Sequence, residues 1–158
     1  MSDRIVIINN SMIEQMDTPV DIYKKPKTLF AADFIGESNI LKGIITDVNE
    51  KTATIDVGNN LKIDVINEGY SVNDKKVLVI RPKDIRISKN ETKNRIKALV
   101  TDNIYNGEIT KFIVSVNNEI ELKVNSMDDV WYEEGEDVYI SFDINDLVVL
   151  GDNNEKRK

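Results

Sequence analysis

The chain has 158 residues, enough for one domain with a hydrophobic core, and a formal charge of −7 from 28 acidic and 21 basic side chains. This acidic balance argues against nucleic acid as a partner, because nucleic-acid binding depends on clustered Lys and Arg that release counterions. Cysteine and histidine are both absent, which excludes disulfides, thiolate nucleophiles, sulfur-ligated metals and the commonest general base.

The first predicted element is a β-hairpin, in which residues 4–8 and 12–16 flank a turn at Asn9-Asn10-Ser11. No apolar run in the chain approaches the ~18 residues of a membrane span, and residues 1–10 lack the apolar segment of a signal peptide. We therefore expect a cytoplasmic protein.

Two short helices are predicted next. Thr18 can cap a helix whose first residue is Pro19, and Pro26 ends that helix. Thr28 can cap a second helix that Gly36 stops. The apolar face of the second helix is predicted to consist of Leu29, Phe30, Phe34 and Ile35. Two short helices in series are typical of a connector between larger parts.

After residue 39 the apolar residues alternate with period two, which predicts β-strands. One hairpin is expected around the turn at residues 58–60, and a second around Asn117-Asn118. Helix is expected to be confined largely to the region between Pro19 and Gly36.

The two hairpins belong to a longer internal repeat. The sequence KGIITD (42–47) aligns with KALVTD (97–102), ATIDVGNNLKIDV (53–65) with FIVSVNNEIELKV (112–124), and IRPKDI (80–85) with FDINDL (142–147). The alternative is that short hairpins resemble each other by chance, but three blocks in the same order argue against it. The repeat predicts a mainly β fold, an OB-like barrel built from two related halves and preceded by the hairpin and the two helices.

The chain also carries a family resemblance, which extends from Ser2 to Leu150. Gln15, Pro19, Ile22-Tyr23 and Pro26 fall in the pattern Q-x-x-x-P-x-x-I-Y-x-x-P. This resembles the junction in ATP-binding subunits of ABC importers, where the ATPase domain passes into a C-terminal regulatory domain called TOBE, for transport-associated OB. Phe34-Ile35-Gly36, Arg81-Pro82 and Asp84 follow in the order expected for that family.

The resemblance implies a division of the chain into four parts. Residues 1–16 would be the last strands of an ATPase domain, 17–39 a helical linker, 40–150 the TOBE domain and 151–158 a flexible tail. In a complete subunit the hairpin would finish the ATPase sheet. Its apolar residues Ile5, Val6, Ile7 and Ile8 are therefore expected to be exposed here and to pair with a second copy.

Within the family, the chain looks most like the branch that imports the polyamines spermidine and putrescine. The segments that carry this likeness are residues 34–39 (FIGESN), 80–85 (IRPKDI) and 143–150 (DINDLVVL), together with Tyr105-x-Gly107. The predicted function is a non-catalytic regulatory and dimerisation domain of such an importer. Two alternatives remain: a subunit of an importer of iron, sulfate, other anions or sugars, or a free-standing OB-like module that binds a small ligand such as molybdate. Net acidity counts against an oxyanion ligand.

The chain departs from complete subunits in its chemistry. It contains no G-x-x-x-x-G-K-[ST] phosphate loop, no Leu-Ser-Gly-Gly-Gln signature and no switch histidine, so phosphoryl transfer has no machinery here. We expect no cofactor, metal or catalytic residue in this chain, with ATP and Mg²⁺ bound by the parent subunit. The resemblance implies a second copy of the subunit and membrane permease subunits as partners, at the inner face of the cell membrane.

One segment has the composition of a polyamine site. Its carboxylates and indole are Asp128, Asp129, Trp131, Glu133 and Glu134, which suit an oligo-ammonium ligand through charge and cation–π contact. A solvated acidic loop is the other interpretation. Arg81-Pro82-Lys83-Asp84 could also be a ligand site, but a Pro at a strand end followed by an Asp is interpreted as a structural turn.

Overall fold

A computed structural model describes residues 4–90 and 95–151, except for the side chains of Phe34 and Ile35. The chain begins with an antiparallel hairpin of β1 (Ile5–Asn9) and β2 (Met12–Asp17), followed by helices α1 (Pro19–Lys24) and α2 (Leu29–Ile35). No helix among these residues is long and apolar enough to cross a membrane. After Ile35, the helical structure of the described residues consists of two 3₁₀ turns, Pro82–Asp84 and Ile144–Asp146, as the alternating pattern predicts.

The described residues between 39 and 151 form two five-stranded antiparallel sheets. The first sheet has the order β12-β6-β3-β4-β5, and the second has the order β10-β9-β8-β11-β7. The strands of the first sheet are β3 (Asn39–Val48), β4 (Thr52–Asp56), β5 (Lys62–Ile66), β6 (Lys75–Ile80) and β12 (Val148–Gly151). Those of the second are β7 (Arg86–Ser88), β8 (Ile96–Tyr105), β9 (Thr110–Val116), β10 (Ile120–Ser126) and β11 (Asp137–Ser141).

Each repeat gives its last strand to the sheet of the other repeat. Strand β7 ends the first repeat but pairs with β11 of the second, whereas β12 ends the second repeat and pairs with β6 of the first. In both repeats a 3₁₀ turn precedes the exchanged strand. Because each sheet needs a strand from the other repeat, the two repeats form one β-body (residues 39–151), as predicted.

Local irregularities confirm the internal repeat. The register between β3 and β4 shifts between Ile45 and Asp47, and that between β8 and β9 shifts between Val100 and Asp102, which are the equivalent positions in the repeat. Both hairpin turns use Asn residues at positive φ, at Asn59-Asn60 and Asn117-Asn118, a conformation that Asn tolerates better than most residues. The two turns also contact each other, since the Asn117 side chain donates to the Asn59 carbonyl over 2.6 Å.

The main core lies between the two sheets. Alternate residues of β9 and β10 are buried, as their period-two pattern predicts. Phe112 is the largest fully buried side chain, and its ring centroid lies 5.5 Å from that of Tyr132. The repeats are not equivalent in every detail: a Cβ at Gly43 would lie 2.6 Å from the Asp56 carbonyl oxygen, whereas the second repeat holds Ala98 at that position.

The helical linker lies between the hairpin and the outer face of the first sheet. Thr18 and Thr28 cap α1 and α2 through their side-chain oxygens, as predicted. The predicted apolar face of α2 is wrong for Phe30, which is 38% exposed, while Ala31 packs against the hairpin and Ala32 against the first sheet. The predicted side chains of Phe34 and Ile35 lie outside the described part of the chain. The small alanines let α2 approach both neighbours closely.

The second helix ends before Gly36, as predicted. Gly36 is its C-cap residue and is extended rather than left-handed, with φ of 176°. A Cβ at Gly36 would instead lie 3.2 Å from the Tyr23 ring. The glycine therefore serves close packing against α1.

The expectation that Ile5, Val6, Ile7 and Ile8 are all exposed is wrong for half of the set. Ile7 is buried against Ile22 and Ala31, and Ile5 is partly buried beside it, because alternate strand residues point towards the linker. Val6 and Ile8 are the exposed pair. The predicted division into four parts stays a prediction, and residues 152–158 of the predicted tail lie outside the described residues.

Candidate functional site

The most extensive polar site in the described residues surrounds Arg81, directly after β6. Arg81 is only 4% exposed. Its Nη1 shares two N–H groups among four oxygens: the carbonyl oxygens of Ala32 at 2.9 Å, Gly36 at 3.2 Å and Glu37 at 3.2 Å, and Ser38 Oγ. Its Nη2 donates to the carbonyl oxygen of Tyr23 at 3.1 Å. One side chain of the β-body thus holds the ends of both linker helices.

The electrostatics of this site come from helix ends rather than from an ion pair. No carboxylate of the described residues lies within 4 Å of the guanidinium, while the carbonyls at helix C-termini carry partial negative charge. The guanidinium also stacks on the Tyr23 ring, with its central carbon 4.4 Å from the ring centroid. Burial lowers the pKa of Arg81, which the charges of Tyr23, Asp84 and Asp33 partly counteract. Burial also raises the pKa of Tyr23.

The structure shows a contact or a position for each of several residues of the linker pattern. Gln15 is buried, with Nε2 donating to the Lys25 carbonyl at 3.2 Å and Oε1 accepting from the Lys27 amide at 2.9 Å. The Gln15 amide therefore joins the hairpin to the turn between the helices. Pro19 begins α1, and Ile22 and Pro26 are buried.

The segment Gly36–Asn39, here called the linker elbow, also reaches the second sheet. The Glu37 carboxylate accepts from Lys111 Nζ and from Asn125 Nδ2, each at 3.3 Å, and lies 3.9 Å from Lys123 Nζ. Burial acts to raise the pKa of Glu37, but the hydrogen bonds from Asn125 and Lys111 and the two lysine charges outweigh it and lower the pKa. Asn39 is buried and pairs with the backbone of Lys123 through two hydrogen bonds, of 2.7 and 2.9 Å.

A cleft of ≈ 430 Å³ lies beside Arg81, between α1 and the two 3₁₀ turns. Lys83 places its Nζ 5.1 Å from the Tyr23 ring centroid. Burial and the charge of Asp146 raise the pKa of Asp84. Three lysines and Arg81 line the cleft against two aspartates, so its walls carry more basic than acidic side chains.

The residues predicted to contact a polyamine lie in the exposed loop after β10. Trp131 is 48% exposed, its Nε1 donates to Glu133 Oε2 at 2.5 Å, and its ring centroid lies 6.4 Å from that of Phe112. The structure thus brings Trp131 and Glu133 together. Asp128, Asp129 and Glu134 are exposed on the same loop, and across the residues that the structure describes no three acidic side chains form a group that could hold a metal ion.

Sequence reasoning treated Arg81 as part of a structural turn and did not identify its partners. The 3₁₀ turn that begins at Pro82 agrees with that interpretation. The acceptors of Arg81 lie 43 to 58 residues earlier in the chain, and backbone carbonyls leave no mark in a sequence. The signal available in the sequence was an Arg placed between the apolar run of β6 and Pro82.

Comparison with known proteins connects this geometry to a family. Residues 78–150 match the TOBE domain family. The spermidine/putrescine import ATP-binding protein of Fusobacterium nucleatum is 30% identical, with 99% of this chain and 46% of the relative aligned. Proteins of the same name from Acetivibrio thermocellus and Clostridioides difficile are 39% and 34% identical, over 68% and 88% of this chain. The chain spans less than half of these three relatives, at 46%, 29% and 39% of their lengths.

A solved structure of the cytoplasmic molybdate-binding protein ModG, with molybdate bound, is similar in fold. The TM-score is 0.60 at 9% sequence identity, and the match covers 70% of this chain and 94% of ModG. At this identity the similarity shows the OB-like fold alone.

Proposed function

Because this chain carries a TOBE domain and resembles the ATP-binding subunits of ABC importers over nearly its whole length, we propose that it is the regulatory part of such a subunit. The observation that supports this proposal most is that the alignment includes the hairpin and linker as well as the β-body. Arg81, Gln15 and Asn39 fasten those segments together. The chain is proposed to be non-catalytic, with ATP and Mg²⁺ bound by the ATPase part of the subunit.

The proposed substrate class is the polyamines spermidine and putrescine. The relatives described above carry these substrates in their names, and the net charge of −7 suits a protein that meets polycations. An importer of iron, sulfate or sugar is the second candidate. A free-standing oxyanion-binding module has weaker support, because the similarity to ModG is one of fold.

Disrupting the gene for this chain is expected to reduce the uptake of labelled spermidine and putrescine by the cells to background. The reason is that an importer without a functional ATP-binding subunit cannot couple ATP hydrolysis to transport. Sulfate uptake in the same cells is the control and should be unchanged, and restoring the gene should restore polyamine uptake. Normal polyamine uptake together with loss of sulfate or sugar uptake would assign the other substrate.

The proposed partners follow from the role in an importer. A second copy of the subunit would meet this one, with the two β-bodies limiting how the ATPase domains open and close. Permease subunits would hold the complex at the inner face of the membrane, through the ATPase part. The exposed apolar residues of the hairpin supply a further surface for contact.

Spermidine is expected to bind weakly to the acidic loop and to change the fluorescence of Trp131. Exposed ion pairs contribute about 0–1 kcal/mol each and a cation–π contact about 0.5–1 kcal/mol, which supports a dissociation constant on the order of millimolar. Since screening weakens exposed charge pairs, the affinity should fall as salt rises. A titration at low ionic strength, followed by Trp131 emission, measures it. The changes Asp128→Asn, Asp129→Asn, Glu133→Gln and Glu134→Gln together should abolish the saturable response.

A matched control removes the same number of charges elsewhere. Asp47→Asn, Glu50→Gln, Asp64→Asn and Glu121→Gln change exposed carboxylates of the β-body and should leave the response intact. Equal responses in the parent and the loop variant would identify the segment as a solvated acidic loop.

A further inference from the structure

The hydrogen bonds of Arg81 all lead away from its own strand. Four of its five acceptors are the carbonyl of Tyr23 in α1, that of Ala32 in α2, and those of Gly36 and Glu37 just beyond α2. A buried guanidinium is costly unless its donors are paired. Removing these acceptors would leave a buried cation without partners, so Arg81 and the two helices stabilise each other's positions.

The linker elbow continues this chain of contacts into the second sheet. Its first residues accept from Arg81, its Glu37 carboxylate lies against Lys111 and Lys123, and its Asn39 amide pairs with the Lys123 backbone. The backbone of Asn39 meanwhile opens β3 and pairs with Ile80 of β6, the residue next to Arg81. Four consecutive residues thus join the helices, the first sheet and the edge strand of the second sheet.

Packing around the elbow leaves little space for adjustment. A Cβ at Gly36 would lie 3.2 Å from the Tyr23 ring and 3.8 Å from Arg81 Nη1. The same ring stacks on the guanidinium. A rotation of α1 relative to the β-body would therefore break the Arg81 hydrogen bonds or displace the elbow.

We propose that Arg81 is a positioning residue that fixes the orientation of the linker helices on the β-body and, through the linker elbow, couples that orientation to strand β10. In this arrangement a displacement of the hairpin and helices weakens the hydrogen bonds of Asn39 to the Lys123 backbone, on the edge of the second sheet. The contacts belong to the chain itself, so this role does not depend on which substrate an importer carries.

Hydrogen exchange measured by mass spectrometry on the full chain tests the coupling. Arg81→Lys keeps the charge but cannot reach acceptors in both helices at once. Hydrogen bonds to a charged group are among the stronger ones, so we expect exchange in α1 and α2 to rise about tenfold or more. Exchange around Lys123 in β10 should rise with it, while the β4–β5 hairpin, at the opposite edge of the first sheet, serves as the internal reference and should stay unchanged.

A second variant approaches the same coupling from the other side. Asn39→Ser removes the pairing with the Lys123 backbone and should raise exchange in β10 and also in α2, again with an unchanged β4–β5 hairpin. Asp143→Asn is the matched control, because Asp143 occupies the position of Arg81 in the second repeat and caps only its own 3₁₀ turn. It should leave both the helices and β10 unaffected.

The outcomes separate coupling from general destabilisation. Faster exchange in the helices without a change at β10 would overturn the proposal, as would equal changes in every segment including the β4–β5 hairpin. If Arg81→Lys fails to fold, Asn39→Ser decides: increased exchange in α2 supports the coupling, and a response confined to β10 refutes it.

Discussion

Replacing Phe112 with alanine is expected to lower the free energy of unfolding by about 3–5 kcal/mol, because it leaves a cavity in the core that both sheets share. Phe112 is fully buried on β9 and its ring packs against Tyr132 and Trp131. The surrounding side chains belong to paired strands, which cannot collapse into the cavity without breaking their register. Urea denaturation followed by far-UV circular dichroism measures the loss.

The control for this change is Ile104→Ala on the neighbouring strand β8. Ile104 is exposed, so its truncation should change the stability by no more than about 0.5 kcal/mol. Similar losses in the two variants would contradict the shared core. Phe112→Ala should also shift the emission of Trp131, since it removes the ring on which the indole packs.

Removing the apolar residues from the outer face of the hairpin is expected to convert a self-associating chain into a monomer. Val6, Ile8, Ile13 and Met16 are 42%, 59%, 61% and 48% exposed and belong to one two-stranded sheet. Burying such a side chain fully contributes about 1.5–3 kcal/mol, so four half-exposed residues supply several kcal/mol against the cost of association. The variant Val6→Thr, Ile8→Thr, Ile13→Thr, Met16→Gln should weaken self-association at least about 100-fold, measured by light scattering over a concentration series.

These substitutions leave the inner face of the hairpin intact. Ile7 remains packed against Ile22 and Ala31, so the hairpin should stay folded on the linker. The control variant Ile66→Thr, Val72→Thr removes exposed apolar residues of the β-body and should not affect the oligomeric state. A parent chain that is monomeric at high concentration, or a hairpin variant that associates as strongly as the parent, would refute this surface.

The candidate sites were predictable to different degrees. The composition around Trp131 identified a possible polyamine site, but the structure brings only Trp131 and Glu133 into contact there. Composition shows which charged and aromatic groups are available, but a binding site also requires that the fold bring those groups close together. The Arg81 site was not predicted as a junction because its acceptors are backbone carbonyls, which every residue possesses.

The sequence by itself determined the local structure of this protein. Local structure depends on residues a few positions apart, as in the helix caps at Thr18 and Thr28, the Asn-containing hairpin turns and the period-two strands. The three repeated sequence blocks determined that the chain has two similar halves. The tertiary structure decided how those parts join. The capping of both helices by Arg81 and the pairing of Asn39 with Lys123 connect residues 43 to 84 positions apart. The exchange of β7 and β12 connects strands of different repeats. Such contacts depend on the burial of whole faces and the pairing of backbone groups in three dimensions, which local propensity and alternation do not specify.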